Sequence, residues 1–228
     1  MSEEGAHQDS PAPIAASLAE FTEKLIARPG VEQANVLFGG QIGPATEALS
    51  ARTNSIGVGD LALFVANGRS ADVESGRASC PGQILFSGCG FLSWHLVWLL
   101  QYLRGLLTIL PSLSDADAAL IAVSPETAPD SVDNASAGPT FPVLIDHGGK
   151  VAEQFGLTFE MNDAAKSVLK SSGFDIDKRN ADGRWTLPVP GTFVIDRSGH
   201  IAYAHVDADY RNRPEPQEIV AICRSLRR

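Results

Sequence analysis

QILFSGCGFLSWHLVWLLQYLRGLLTIL, residues 83–110, decides the fold, because a short apolar run passes directly into a long one with helical spacing. Residues 83–88 predict a buried strand, and residues 92–110 predict a helix. Two apolar stripes run along this helix on adjacent faces. The first stripe, predicted to pack on a sheet, is His95, Leu99, Tyr102, Leu106, Ile109 and Leu113, and the second is Leu96, Leu100, Leu103, Leu107 and Leu110.

Strand and helix patterns continue to alternate on both sides of this stretch. Upstream, residues 60–73 read as two short strands around an Asn-Gly turn. Downstream, the strand candidates are AALIAVSPE (118–126), TFPVLID (140–146), GTFVID (191–196) and HIAYAHVDA (200–208), with helices predicted in KVAEQFG (150–156) and EPQEIVAICRSLRR (215–228). A βαβ start, an antiparallel pair and a final helix make an α/β layout of thioredoxin type, with a mixed central sheet flanked by helices.

Residues 1–56 are predicted to form an N-terminal extension ahead of the main domain, residues 57–228. Residues 14–28 have apolar side chains at helical spacing, followed by a Pro-Gly stop. A second helix is predicted in GPATEALSAR, residues 43–52, with Pro44 in its first turn.

The net charge and the distribution of polar residues argue against a nucleic-acid partner, secretion and a membrane span. A net charge of -9 gives no basic field for phosphate contacts, so we expect no nucleic-acid partner. The acidic, polar start MSEEGAHQDSPAP does not resemble a secretion signal, which predicts a cytoplasmic protein. Residues 91–110 have the length of a membrane span, but His95, Gln101 and Arg104 within them argue against one.

Three cysteines, Cys80, Cys89 and Cys223, are widely spaced, with no CxxC pair and no metal-type spacing. A structural disulfide is not expected in a reducing compartment. Cys80 and Cys223 are predicted to be packing residues.

Several segments together resemble a known family. These are VGDLALFVANGRSADV, ALIAVSPET, FPVLIDHGGKVAEQFGL, LPVPGTFVIDRSGHIAYAHVDADYRNR and EPQEIVAI. In order and spacing they are similar to the peroxiredoxin-like branch of the alkyl hydroperoxide reductase and thiol-specific antioxidant (AhpC/TSA) superfamily, over about residues 57–222. The resemblance implies a thioredoxin fold with its active site at the N-terminus of the helix after QILFSG. It also implies that Pro190 is a cis-proline facing that site.

The chain departs from the family at the active site itself. Family members typically have Gly-Gly-Trp-Cys-Pro-Tyr-Cys after the strand, whereas CGFLSWH places Leu92 and His95 at the two cysteine positions. The ordinary dithiol chemistry is therefore excluded at these positions. Cys89 stands three residues earlier in a Gly-Cys-Gly loop, whose glycines would let it approach the helix N-terminus.

Cys89 and His95 are the predicted catalytic residues. A helix N-terminus stabilises a thiolate, and His95 would hold Cys89 in that form or act as an acid or base. The alternative for Cys89 is a small, inert residue in a tight loop. The alternative for His95 is a first-turn side chain that faces the sheet.

A binding pocket is predicted around these two residues. Its members are Leu92, Ser93, Trp94, Ser124, Glu126 and Pro190. Ser124 and Glu126 follow the second parallel strand, at the edge where α/β sheets bind ligands. The alternative for Ser124 and Glu126 is that they belong to the capped start of a helix in SPET. The alternative for Trp94 is that, together with Trp98, it covers apolar surface.

HVDAD, residues 205–209, would place His205, Asp207 and Asp209 on one face of a strand, a spacing that a metal ion can use. A solvated strand end is the favoured interpretation. We therefore predict no metal and no cofactor.

Two functions remain open. The first is a peroxidase-type oxidoreductase that uses Cys89 alone and is reduced by an external thiol. The second is a non-redox thioredoxin-fold protein that has lost both active-site cysteines and binds or converts a small molecule, or binds a partner, at the former active site. In either case the second stripe is predicted to be buried by another subunit, in a homodimer through the 92–110 helix, or by the N-terminal segment of the same chain.

Overall fold

A computed structural model describes residues 31–52, 56–66, 71–77, 83–87, 96–125, 141, 143–171, 175–180 and 183–227. The strands are β1 (Leu63–Ala66), β2 (Ala71–Arg77), β3 (Gln83–Ser87), β4 (Ala119–Ser124), β5 (Val143–Ile145), β6 (Thr158–Glu160), β7 (Thr186–Pro188), β8 (Gly191–Ile195) and β9 (Ile201–Val206). The helices are α1 (Val31–Ser50), α2 (Leu96–Asp115), α3 (Lys150–Gln154), α4 (Asp163–Ser171), α5 (Ile176–Arg179) and α6 (Pro216–Ser225), and a 3₁₀ turn, His147–Gly149, precedes α3.

Seven strands form one mixed sheet in the order β1-β2-β5-β4-β3-β8-β9. Strands β3, β4 and β5 are parallel, and α2 connects the first two as the predicted βαβ unit. Strands β8 and β9 are the predicted antiparallel pair, with β8 beside β3. The expected α/β layout is therefore confirmed, including the final helix.

The face of the sheet covered by α2 and α6 holds one of two buried clusters. Tyr102, Leu106, Ile109 and Leu113 are each at most 2% exposed, which confirms the described part of the first predicted stripe. Leu107 and Leu110 of the second stripe are half-buried against the same cluster.

The other face holds a larger buried cluster beneath α1, α3 and α4. Alternate residues of the strands separate the two clusters, with Phe193 on this face and Val194 on the other. Phe155, at the end of α3, meets Phe193 edge to face with ring centroids 4.8 Å apart. This contact holds the end of α3 against β8.

Helix α1 corrects the predicted helix at residues 43–52. It begins at Val31, twelve residues earlier, and Pro44 lies inside it instead of in its first turn. Glycines 39, 40 and 43 weaken helix propensity, so the sequence pattern is poor. Tertiary packing compensates, because Gly40 sits so close to α4 that an added Cβ would lie 2.3 Å from Cβ of Ala165.

Helix α2 ends later than residue 110, the predicted end, and runs through Pro111 to Asp115. Asp117 then adopts a left-handed conformation with φ of 56°. The amide of Ala118 donates to the carbonyl of Leu113, and that of Asp117 to Ser114, which is a Schellman-type ending. Arg197 forms an ion pair with Asp117 and supports this turn.

Residues 157–188 contain four elements that the sequence patterns did not predict. Strands β6 and β7 pair as a separate two-stranded sheet, and α4 and α5 lie between them. Strands of three residues are too short for a visible alternation of polar and apolar side chains. We call this segment, residues 157–188, the hairpin insertion.

Among the helices of the described part of the chain, none has both the length and the apolarity that a bilayer crossing requires. The predicted boundary between an N-terminal extension and the main domain at residue 56 stays a prediction. The helix predicted at residues 14–28 lies outside the described residues.

Candidate functional site

The carboxyl ends of β3, β4 and β5 meet at one edge of the sheet, where the resemblance places the active site. Ser87, the last residue of β3, pairs with Val123 on one side and Gly191 on the other. Ser124 and Pro190, the next residues outward, therefore flank the chain as it leaves β3. Of the predicted pocket, the structure brings these two residues to a common edge.

The other predicted site residues lie outside the described part of the chain. They are Cys89, Leu92, Ser93, Trp94, His95 and Glu126. Cys89 follows Ser87 by two residues, and two residues of chain span at most about 7 Å. Its assignment to this edge and its side-chain environment stay predictions.

Pro190 corrects one expectation drawn from the family resemblance. It is buried, but its peptide bond with Val189 is trans. The amide of Val189 donates to the carbonyl of Leu157, and the carbonyl of Pro190 accepts from the amide of Asp207. These contacts hold the chain extended as it enters β8, in the trans form that an X–Pro bond favours by about 0.5–1 kcal/mol.

A cleft opens at the same edge between the main sheet and the hairpin insertion. The ends of β4 and β5 form one wall, with Ser124 at the rim, and Thr158, Thr186 and Pro188 of the insertion form the other. The cleft encloses about 360 Å³ of empty space that opens to solvent.

Asp146 lies at the base of this cleft, and its role was not predicted from the sequence. It is 2% exposed, and its two carboxylate oxygens accept from the amides of Val151 and Ala152, each at 3.0 Å. This side chain therefore supplies hydrogen-bond acceptors for backbone amides at the start of α3, which have no partner within the helix. The signal was present in the sequence as an aspartate directly after the apolar run VLI, a common position for a helix cap.

The loop between β9 and α6, residues 207–214, lies at this edge on the α2 side. Arg211 forms a bidentate pair with Asp209, with Nε 2.7 Å from Oδ1. The guanidinium of Arg213 lies 5.5 Å from the ring centre of Tyr102 on α2. The Tyr102 hydroxyl donates to the carbonyl of Pro214 at 3.2 Å, so α2 and the loop are joined directly.

Burial raises the pKa of Tyr102 to about 12, against opposing effects of the Thr192 hydroxyl and the Arg213 cation. Tyr102 is therefore a neutral hydrogen-bond donor at physiological pH. Arg213 brings a positive charge to the edge where the active site is expected. The sequence patterns placed Tyr102 in the first stripe but indicated no role for Arg213, for which the available signal was the dense charge of DADYRNR after a strand.

The HVDAD residues do not share a strand face, because β9 ends at Val206. Asp207 and Asp209 instead serve the following turn, where Asp207 Oδ1 accepts from the amide of Asp209 at 2.8 Å. The Nε2 atom of His205 lies 3.2 Å from the carbonyl oxygen of Asn212. Within the described ranges no three His, Cys, Asp or Glu side chains are grouped as metal ligands.

Cys223 is a buried free thiol on α6, 4% exposed, as expected for a packing residue. Burial raises its pKa to about 11. It lies in the cluster between the sheet and α2 and lines a small cavity with Ala116, Val194 and Arg197. This cavity lies toward the opposite edge of the sheet from Ser124, because Val194 is near the end of β8 and Ala118 comes directly before β4.

Comparison with known proteins agrees with this architecture. Residues 101–204 match the model of the AhpC/TSA family. The bacterioferritin comigratory protein of Xanthomonas campestris, studied for its alkyl peroxide reduction activity, has a similar structure, with a TM-score of 0.50 and 15% identity over 76% of this chain and 99% of that one. A cysteine-to-serine mutant of Xylella fastidiosa PrxQ has a TM-score of 0.51 and 14% identity, over 75% and 96% of the two chains.

Comparison with curated protein sequences gave no significant match. At such low identity the structural likeness establishes the fold alone. The sheet order, the α2 crossover and the antiparallel β8–β9 pair are those of the thioredoxin-like fold that the sequence segments predicted. Residues 101–204 of the chain match the AhpC/TSA family model, and the chain has the thioredoxin-like fold of the peroxiredoxins.

Proposed function

We propose that this protein reduces peroxides with Cys89 as its sole nucleophile. The observation that carries the proposal is the position of β3, whose last residue, Ser87, lies between Val123 and Gly191 at the carboxyl edge of the sheet. Cys89 follows by two residues, at the edge where α/β folds place their ligands. The match of residues 101–204 to the AhpC/TSA family model supports a thiol reaction at that place.

The chemistry requires the thiolate form of Cys89. The sulfur attacks one peroxide oxygen, the O–O bond breaks, and the other oxygen leaves with a proton as water or alcohol. Cysteine is thereby oxidised to sulfenic acid. One external thiol then forms a mixed disulfide and releases water, and a second thiol releases Cys89 and leaves as the oxidised reductant.

Several features of the site support this reaction. Arg213 lies on the α2 side of the edge, with its guanidinium 5.5 Å from the ring centre of Tyr102. Positive charge and a helix N-terminus both favour a thiolate. His95 is proposed to assist from the first turn of the active-site helix, and Leu92, Ser93, Trp94 and Glu126 to complete the pocket with Ser124 and Pro190.

An external reductant is part of the proposal, because the buried Cys223 has an unreactive environment. We further propose a cytoplasmic location, where small thiols are abundant and a lone reactive cysteine stays reduced. A homodimer through the 92–110 helix completes the proposed assembly.

A second candidate is a non-redox function at the same edge. It is favoured by the replacement of both family cysteines, with Leu92 and His95 in their places. In that case Leu92, Trp94, His95 and Pro190 would shape a site for a small molecule or a partner.

Peroxide consumption distinguishes the two candidates. Hydrogen peroxide loss is followed with dithiothreitol as reductant for the wild type, Cys89→Ser and Cys223→Ser. The proposal predicts that Cys89→Ser loses at least 100-fold in rate while Cys223→Ser stays within twofold of the wild type. Equal activity in Cys89→Ser and the wild type would exclude Cys89 as the nucleophile, and an inactive wild type would favour the non-redox candidate.

A further inference from the structure

We draw no further inference here: the strongest candidate, the small cavity beside the thiol of Cys223 at the edge of the sheet opposite Ser124, carries nothing, because it rests on a lone buried cysteine and the described part of the chain holds no second feature there that points to a ligand.

Discussion

Cys223 shows how burial decides the chemistry of a thiol in this fold. Its side chain packs with Ile219 and Val220 in the cluster beneath α2, and burial raises its pKa to about 11. Because the reactive form of cysteine is the thiolate, this residue is inert at neutral pH. The same reasoning gives Cys89 its proposed role, since the end of β3 leads to an edge that carries Arg213.

Stability in alkaline solution should depend on Cys223. The folded state holds its proton up to a pKa of about 11, against an ordinary value of 9.0, so it binds more protons than the unfolded chain between these values. Stability is therefore complete below about pH 9 and falls as pH rises toward 11, by at most about 3 kcal/mol from this group. Tyr102 and Tyr203, whose pKa values burial raises to about 12, should extend the loss.

Urea unfolding of the wild type and Cys223→Ala between pH 8 and pH 11 measures this effect. The variant is expected to lose less stability over that interval, although it is less stable at pH 8 because a buried group is removed. Parallel pH profiles for the two proteins would show that the Cys223 thiol does not titrate differently on unfolding.

At the level of elements, the contact between α1 and α4 depends on a single glycine. A Cβ at Gly40 would lie 2.3 Å from Cβ of Ala165, whereas a Cβ at Gly39 would meet nothing within 4 Å. Gly40→Ala is therefore expected to destabilise the fold by about 1–3 kcal/mol, through overpacking. Gly39→Ala should stabilise it by about 0.5–1 kcal/mol, because alanine favours the helix.

Chemical denaturation of these two variants gives the comparison directly. Both changes add one methyl group to the same helix, so they differ in what that methyl group meets. A Gly40→Ala protein as stable as Gly39→Ala would mean that α1 does not approach α4 as described.

Elements with strong periodicity were predictable from the sequence, and elements that depend on distant contacts were not. Helix α2 and strands β3, β4, β8 and β9 each contain a run of apolar residues long enough to reveal its period. Helix α1 contains three glycines and an internal proline, and it forms because α4 and β6 pack against it. The three-residue strands of the hairpin insertion exist through their pairing with each other.

The candidate site was predictable to a similar degree. Ser124 and Pro190 lie at the expected edge, because parallel strands bring their carboxyl ends together. Arg213 and the cleft walls at Thr158 and Thr186 come from segments far apart in the chain, and no local pattern indicates that they share this edge.

At the scale of the whole molecule, the second stripe of α2 predicts a contact surface. Leu107 and Leu110 are half-buried, at the margin of the cluster beneath α2. Replacing Leu100 and Leu103 by glutamate should separate a homodimer or unfold the chain, because charges would enter an apolar contact. Sedimentation velocity and circular dichroism of the double variant check this, and a stable monomer identical to the wild type would contradict the prediction.

The proposed mechanism requires Cys89 to be a reactive peroxidatic thiol at the carboxyl edge of the sheet. It is tested most directly by adding hydrogen peroxide to the reduced protein in the presence of dimedone, and locating the trapped sulfenic acid by mass spectrometry. Sulfenic acid forms where a thiol is ionised and accessible. Labelling of Cys89 is expected to be at least 100-fold faster than that of Cys223, and labelling of Cys89 no faster than that of Cys223 would contradict the proposed mechanism.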